Sequence, residues 1–334
     1  GRIQWSAVAD ATSFDGLDFA TAESRDDNLI RGLAINGQFW AFGERSIERW
    51  YLTGSGESTE FIAPLSGGVI DTGLRSFGLL ASFPNGAVFV GSDGLVYLVG
   101  GGGIQPISSR GVETSVAQGA PDRCFYYTDE GHKFCVLQFK DRPAWVYDIS
   151  SGEWHERAEG SSLYKWSAVA SVQAYGGNYV GTELGGVFRL ERTNKDGDEP
   201  LIRKGVSRTL ETEGRQFTIN RIQIKPRVGR AALSQDAAGI LAIDDEFVLD
   251  VGDAALAIDP AGQVARDARI AIRMSRDRGE TWGKEKMRSL GALGEYDKLV
   301  RINALGVFRT ANAEFTMSEP AEIPMDATAF VELS

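Results

Sequence analysis

The sequence predicts an all-β protein, with β-propeller-like blades followed by a C-terminal β domain that carries a tight Asp-Gly hairpin. Three observations carry this. Glycine supplies 40 of the 334 residues, about 12% against the roughly 7% of an average protein, as many tight turns require. Helical periodicity is almost absent. A short alternating run, a Gly-containing turn and a second alternating run recur at a nearly fixed interval.

The recurring units open with "NGQFWAFGERSIERWYL" at Asn36, "NGAVFVGSDGLVYLV" at Asn85, "GHKFCVLQFKDRPAWVYDI" at Gly131 and "GGNYVGTELGGVFRLE" at Gly176. Framed on Gly37, Gly86, Gly131 and Gly176, they are spaced by 49, 45 and 45 residues. Each offers a turn, a strand of β-branched or aromatic residues, a second turn, and a strand with an aromatic among aliphatics. Two or more hairpin strands in such a period suit a propeller blade, which cannot bury both faces alone and must stack on its neighbours. The competing reading is a run of ordinary meanders in a sandwich. The chain opens on "GRIQWSAVAD" with no Met, already reading as a strand, and a segment ahead of it is expected.

The polar, turn-rich "TNKDGDEP" (193–200) predicts a boundary, giving blades over 1–195 and a C-terminal domain over 196–334, either a sandwich or closing blades. "RQFTINRIQIKPRVG" alternates as a strand through Phe217, Ile219, Ile222 and Ile224, with a phase slip at Asn220-Arg221. The Ala/Asp/Gly-rich stretch 231–265 reads as an insertion or a mobile hairpin. Strand–turn–strand order resumes from residue 268 to the end.

Net charge is −11 and uneven: residues 1–200 hold 16 Lys+Arg against 26 Asp+Glu, and residues 201–334 hold 19 against 20. A nucleic-acid grip needs a basic stripe, and the first part has the wrong sign. The arginines and lysines between Arg266 and Arg288 are interleaved with acids and read as a solvated or subunit-contacting face. No apolar run approaches the roughly 18 residues of a membrane helix, and no signal peptide opens the chain. Cys124 and Cys135 flank a hairpin turn. A two-residue Asp129-Glu130 turn sets them directly opposite; a three-residue turn ending at Gly131 puts them on opposite faces. Free, half-buried thiols are the favoured reading.

Signals for catalysis are weak. The two histidines, His132 and His155, lack metal-ligand spacing, and no G-x-S-x-G elbow or phosphate loop appears. Asp148, Glu153 and Glu156 could pair as carboxylates, but a strand–turn–strand explains them as well. "IDDEFVLD" lacks the regular spacing of a calcium loop. No cofactor or metal is expected. "SRDRGETW" (275–282) has the form Ser-x-Asp-x-Gly-x-Thr-Trp. Asp277 can accept from backbone N–H groups ahead of it, Gly279 supplies a positive φ, and Thr281 and Trp282 would begin the outgoing strand. With Ser275, these residues resemble the Asp box, a structural hairpin of propeller proteins such as sialidases, where it lies away from the catalytic centre. The stretch is therefore read as a turn and not an active site.

The order of motifs resembles the packaged-DNA stabilisation proteins, the tail hubs of short-tailed P22-like bacteriophages. The resemblance rests on the opening "GRIQWSAVADATSFDGLDFATAESRDDNL", on Phe42, Gly43, Ser46, Ile47 and Glu48 in "FGERSIERWYL", on "WVYDISSGEWHERA", and on the closing "SRDRGETWGKEKMRSLGALGEYDKLVRINALGVFR" and "FTMSEP". It implies a virion structural protein without catalytic residues, assembled in the host cytoplasm into a ring, expected to be six-fold, below the portal and its head-completion adaptor. Such a ring supports the tail needle and tailspikes and closes the exit channel, with packaged DNA passing but not bound by sequence, and no membrane involved. An acidic wall would let DNA slide past. Trp40, Trp50, Trp145, Trp154 and Trp166 are candidate interface anchors, with blade packing as the competing account. The alternative functions are a propeller glycan-binding or sialidase-like protein and a receptor-binding tail protein.

Overall fold

The computed structural model describes residues 1–7, 10–22, 25–54, 61–100, 103–191, 195–197, 199–225, 240–242, 248–250, 268–291, 298–318 and 327–333. The chain divides into two units, Gly1–Glu191 and Arg192–Ser334.

In the first unit a small ladder, β1 (Arg2–Gln4) and β2 (Phe19–Thr21), precedes four antiparallel meanders. Sheet one is β3 (Leu29–Ile35), β4 (Gln38–Gly43), β5 (Ile47–Leu52) and β6 (Ile62–Ile70). Sheet two is β7 (Leu80–Phe83), β8 (Gly86–Val90), β9 (Val96–Gly100) and β10 (Gly103–Pro106). Helix α1 (Arg110–Gln118) leads to sheet three: β11 (Pro121–Asp129), β12 (His132–Phe139), β13 (Ala144–Asp148) and β14 (Glu153–Arg157). Among the described residues, sheet four has three strands, β15 (Ala168–Ala174), β16 (Gly177–Thr182) and β17 (Val187–Leu190).

The turn grammar explains the repeat. Each first hairpin has a two-residue loop, and in sheets one, three and four both loop residues have positive φ: Asn36 and Gly37, Glu130 and Gly131, Tyr175 and Gly176. This conformation matches the twist of the flanking strands. In sheet two the loop is Pro84-Asn85, with Asn85 at φ 67°, and Gly86 pairs with Phe83 as the first strand residue. The frame through Gly86 is therefore one residue late; the equivalent of Gly37 is Asn85. Proline fixes the first loop position and Asn tolerates the left-handed second.

Because the sheets are sandwiched, their middle strands are apolar on both faces. Phe42 and Ile47 of sheet one pack with Phe89, Tyr97 and Val99 of sheet two. On the other face of sheet two, Val88, Val90 and Val96 meet Cys135, Leu137 and Phe139 of sheet three, with Val112 and Val116 of α1 beside them. Phe125, Val136 and Val146, from the opposite face of sheet three, meet Ala168 and Val180 of sheet four. At the other end, Ile3 and Ala22 cover Ala41 and Trp50 of sheet one. The packing order is ladder, one, two, three, four. Helix α1 runs against the expectation of almost no helical pattern: Ser109 caps it, and Val112 and Val116 form its single buried stripe.

Cys124 lies opposite Leu137, and Cys135 opposite Tyr126. The two-residue loop is Glu130-Gly131, so neither predicted register holds. The cysteines are diagonal on one face, and both are free thiols.

The second unit begins with a short ladder, β18 (Lys195–Asp196) and β19 (Glu199–Pro200). Its remaining strands are β20 (Arg203–Val206), β21 (Leu210–Glu211), β22 (Phe217–Ile224), β23 (Ile240–Ala242), β24 (Val248–Asp250), β25 (Ala268–Ser275), β26 (Lys286–Gly291), β27 (Val300–Phe308), β28 (Thr310–Met317) and β29 (Ala327–Leu333). One sheet runs β20-β28-β25-β26 with β21 also on β28, and another runs β27-β22-β29. Phe217, Ile219, Ile222, Ile302 and Phe308 of one sheet share a core with Ile270, Ile272, Ala313 and Phe315 of the other, a β-sandwich. The phase slip at Asn220 is a register shift between Ile219 and Arg221 in both of its ladders. Apart from the β23–β24 ladder, the predicted insertion 231–265 lies outside the described residues.

Candidate functional site

Strand β25 ends at Ser275, which is buried. Its Oγ donates to Asp277 Oδ1 at 2.7 Å and accepts from the Gly279 N–H at 2.8 Å. Asp277 Oδ1 accepts from the Thr281 N–H at 2.8 Å, and Oδ2 accepts from the Thr281 hydroxyl. Arg278 and Gly279 have φ of 60° and 97°. The Thr281 hydroxyl, then Ser275 and the Thr281 N–H, pull the Asp277 carboxyl down to about 2. Such a carboxylate is ionised across the physiological range and is a poor proton donor. The five predicted residues thus gather in one turn, with one correction. Thr281 and Trp282 do not begin the outgoing strand: β26 starts at Lys286, and the Gly283 N–H closes the turn onto the Met274 carbonyl at 2.8 Å.

Trp282 lies under the Arg273 guanidinium, 5.3 Å from ring centroid to Cζ. Arg273 also donates to Glu314, whose other oxygen meets Lys204 Nζ at 2.8 Å. Burial works to raise the Glu314 carboxyl, but hydrogen bonds from Arg273 and Lys204 outweigh it and hold it below the ordinary value. This cluster, which the sequence reading passed over, ties the turn to the five-stranded sheet.

The proposed tryptophan anchors are blade packing. Trp40 and Trp50 are buried, 1% and 5% exposed. Trp145 donates to Ser115 Oγ at 2.9 Å, and Trp154 donates to the Ile107 carbonyl at 2.7 Å while packing on Tyr147. Trp166 packs on Phe125 and under Arg157. The exposed apolar residues are instead Phe14, Leu17, Phe77, Val172, Tyr175, Leu184 and Val187, among others.

The Asp148 carboxylate binds its own turn, accepting from the Ser150 N–H at 2.8 Å and Ser151 Oγ at 3.0 Å, with His132 Nδ1 at 2.7 Å. Burial works to raise its pKa, and these hydrogen bonds overcome it to leave the pKa lowered. His155 is pushed down to about 4 by burial and by Arg157. Asp148 and Glu153 face each other in the β13–β14 ladder, with Glu156 opposite Trp145. This is the strand–turn–strand account of the three carboxylates. Asp27 does the same for sheet one, accepting from the N–H groups of Glu44, Arg45 and Ser46 at 2.8, 2.9 and 2.7 Å. Sequence separation hid that cap. Among the described residues, no group of three or more His, Cys, Asp or Glu is placed to hold a metal ion.

The family model described as the β-propeller of bacteriophage P22 Gp10 matches residues 2–192, and that of its β-sandwich matches residues 241–317. No curated protein matches the chain. Among solved structures, the chain is 16% identical to the computationally designed Ika4 protein, with a TM-score of 0.31, over 51% of this chain and 94% of that one. It is 8% identical to an exo-β-1,3-galactanase from Phanerochaete chrysosporium, with a TM-score of 0.28 over 88% and 79%. It is 10% identical to the WD40 domain of SCAP from fission yeast, with a TM-score of 0.28 over 90% and 87%. Similarities this low carry no functional argument.

Proposed function

Since the chain belongs to the bacteriophage P22 Gp10 family and is a phage structural tail protein of the virion, we propose that it is a tail hub. Copies form a ring below the portal and its adaptor, close the DNA exit channel after packaging, and anchor the tail needle and tailspikes. The observation that carries this reading is the order of the two matches, with the propeller model over 2–192 and the sandwich model over 241–317 of one chain. The turn at 275–282 serves the fold of the second unit, since its polar side chains are spent on one another. A structural family supports a non-enzymatic part.

The acidic first part suits a component past which DNA moves. A wall of negative potential does not gather phosphate, so the duplex slides. A basic channel-facing surface in the assembled tail is the observation that sinks this step.

The test is a phage carrying an early stop codon in this gene. DNase-protected DNA in the heads is measured soon after packaging and some hours later. Heads that fill and then empty, on particles without needles, are the expected result. Retained DNA with loss of cell attachment alone overturns the channel-closing role and makes the protein an adhesin.

A further inference from the structure

We propose that the Asn36-Gly37 loop is a self-modification site, where the chain converts Asn36 to aspartate and isoaspartate with time. The same dipeptide at Asn85-Gly86 is protected by its place in the next sheet.

Asn-Gly stands at both positions in the sequence, and Asn is among the heat-labile residues. The reaction needs an asparagine amide and a following N–H that is free to move. It also needs no side chain on that following residue to obstruct the approach. Gly37 lies in the loop, outside the β3–β4 ladder, which closes with Ile35 opposite Gln38. It is exposed, and a Cβ there would meet nothing within 4 Å. Asn36 is exposed beside it, and its amide is lightly held, Nδ2 donating to the Asn85 carbonyl at 3.4 Å. The loop can therefore turn the Gly37 nitrogen onto Asn36 Cγ without breaking a ladder hydrogen bond.

At Asn85 the one-residue shift in loop frame takes that freedom away. Gly86 is buried, is the first strand residue, and pairs with Phe83 to close the β7–β8 ladder. The closing pair of a two-residue loop is hydrogen-bonded, so the nitrogen that would attack is already a committed donor. A Cβ at Gly86 would lie 2.5 Å from the Phe83 ring and 2.7 Å from the Val99 carbonyl oxygen. The peptide has no room to swing.

The step balances with water alone. Gly37 N gives its proton to solvent and bonds to Asn36 Cγ. The Cγ–Nδ2 bond breaks, and the amide nitrogen leaves as ammonia. Water then opens the cyclic imide, at Cγ to give aspartate or at the Asn36 backbone carbonyl carbon to give isoaspartate. Either product adds one negative charge to a chain already at −11. A carboxylate then faces the Asn85 carbonyl where a donor stood, which loosens the seam between the first hairpins of sheets one and two.

The test ages the full chain at mildly alkaline pH in heavy-oxygen water, both native and in guanidinium chloride. Trypsin digestion follows in ordinary water, so only conversions during ageing carry the label in the new carboxylate. Peptides 32–45 and 76–110 hold one asparagine each, Asn36 and Asn85. In the native chain the Asn36 peptide should convert about tenfold or more faster than the Asn85 peptide, the protection of a buried closing pair. In denaturant the two rates should converge. Equal native rates, or an Asn36 peptide that converts only in denaturant, overturn the proposal. Asn36→Asp, with its fold checked by circular dichroism, tests the consequence. Hydrogen exchange of the amides around both loops should rise severalfold, and unchanged exchange around Asn85 overturns the loosening of the seam.

Discussion

Sheets three and four share one hairpin grammar and differ in what covers them. Both open with a loop of two positive-φ residues, Glu130-Gly131 and Tyr175-Gly176. Sheet three is packed on both faces, by Val88, Val90 and Val96 on one side and by Ala168 and Val180 on the other. Among the described residues, sheet four is packed on one, by Phe125, Val136 and Val146. Turn chemistry therefore makes the meander, and the neighbour decides its stability. A blade owes most of its rigidity to sheets made by other stretches of sequence.

The widest gap between them is expected in thiol reactivity. Burial pushes Cys124 up to about 12 and Cys135 well above its ordinary value. At pH 8 only about one Cys124 thiol in 10⁴ is ionised, and the thiolate is the reactive form. Cys135 is 2% exposed, so its modification must wait for sheet three to open, a slowing of roughly 10³-fold or more if that costs upward of ~4 kcal/mol; the half-buried Cys124 is slowed by its raised pKa. A cysteine placed at Val187 in sheet four should react at the rate of a free thiol. Maleimide labelling read by mass spectrometry, with and without denaturant, measures both. Fast stoichiometric labelling of the native pair means that sheet three is loose.

Core truncation comes next. Phe139 of sheet three is fully buried, and Phe139→Ala should cost about 3–5 kcal/mol. Val187→Ala in the isolated chain should stay within about 0.5 kcal/mol. Urea unfolding of the two variants gives the difference directly; equal midpoints erase the contrast between the sheets.

Acid gives a smaller effect, again located in sheet three. His155 has its pKa lowered to about 4 by burial and Arg157, from an ordinary 6.5. A depressed folded pKa means that the unfolded chain binds the proton first. The stability linked to neutral His155 is complete above pH 6.5 and is lost as pH falls toward 4, with a slope of at most ~1.4 kcal/mol per pH unit. His155→Gln should flatten that part of the pH–stability curve. An unchanged slope assigns the acid sensitivity elsewhere.

The sequence showed what is local. Gly and Asn in short loops marked all four hairpins, and alternation marked β22 with its bulge at Asn220. Where two residues could fill one loop position, the frame slipped, as at Asn85 and Gly86. The diagonal placement of Cys124 and Cys135 escaped for the same reason. Helix α1 escaped because nine residues with Gly111 among them show only Val112 and Val116 as an apolar stripe. The Asp27 cap joins residues 17 to 19 positions apart, and the Arg273–Glu314 pair spans 41. No local pattern reports either one. Nor does composition say which apolar face is covered: Val180 is buried while Val172 and Val187 of the neighbouring strands lie outside, and only packing makes the difference.

The smallest expected effect is one where the two sheets should agree. Gly131 and Gly176 occupy the same loop position, at φ of 86° and 72°, and a Cβ at either would meet nothing within 4 Å. Alanine there pays only the left-handed backbone cost, about 1 kcal/mol, because the preceding Glu130 and Tyr175 already hold positive φ without glycine. Hydrogen exchange of the amides flanking each loop reads the cost locally, so unequal global stability of the sheets does not mask it. Equal losses from Gly131→Ala and Gly176→Ala mean that the turns act alone and packing supplies the whole difference between the sheets. A loss at Gly131 several times that at Gly176 would show turn and packing to be coupled, with the covered sheet unable to relax around a strained loop as the half-covered one does.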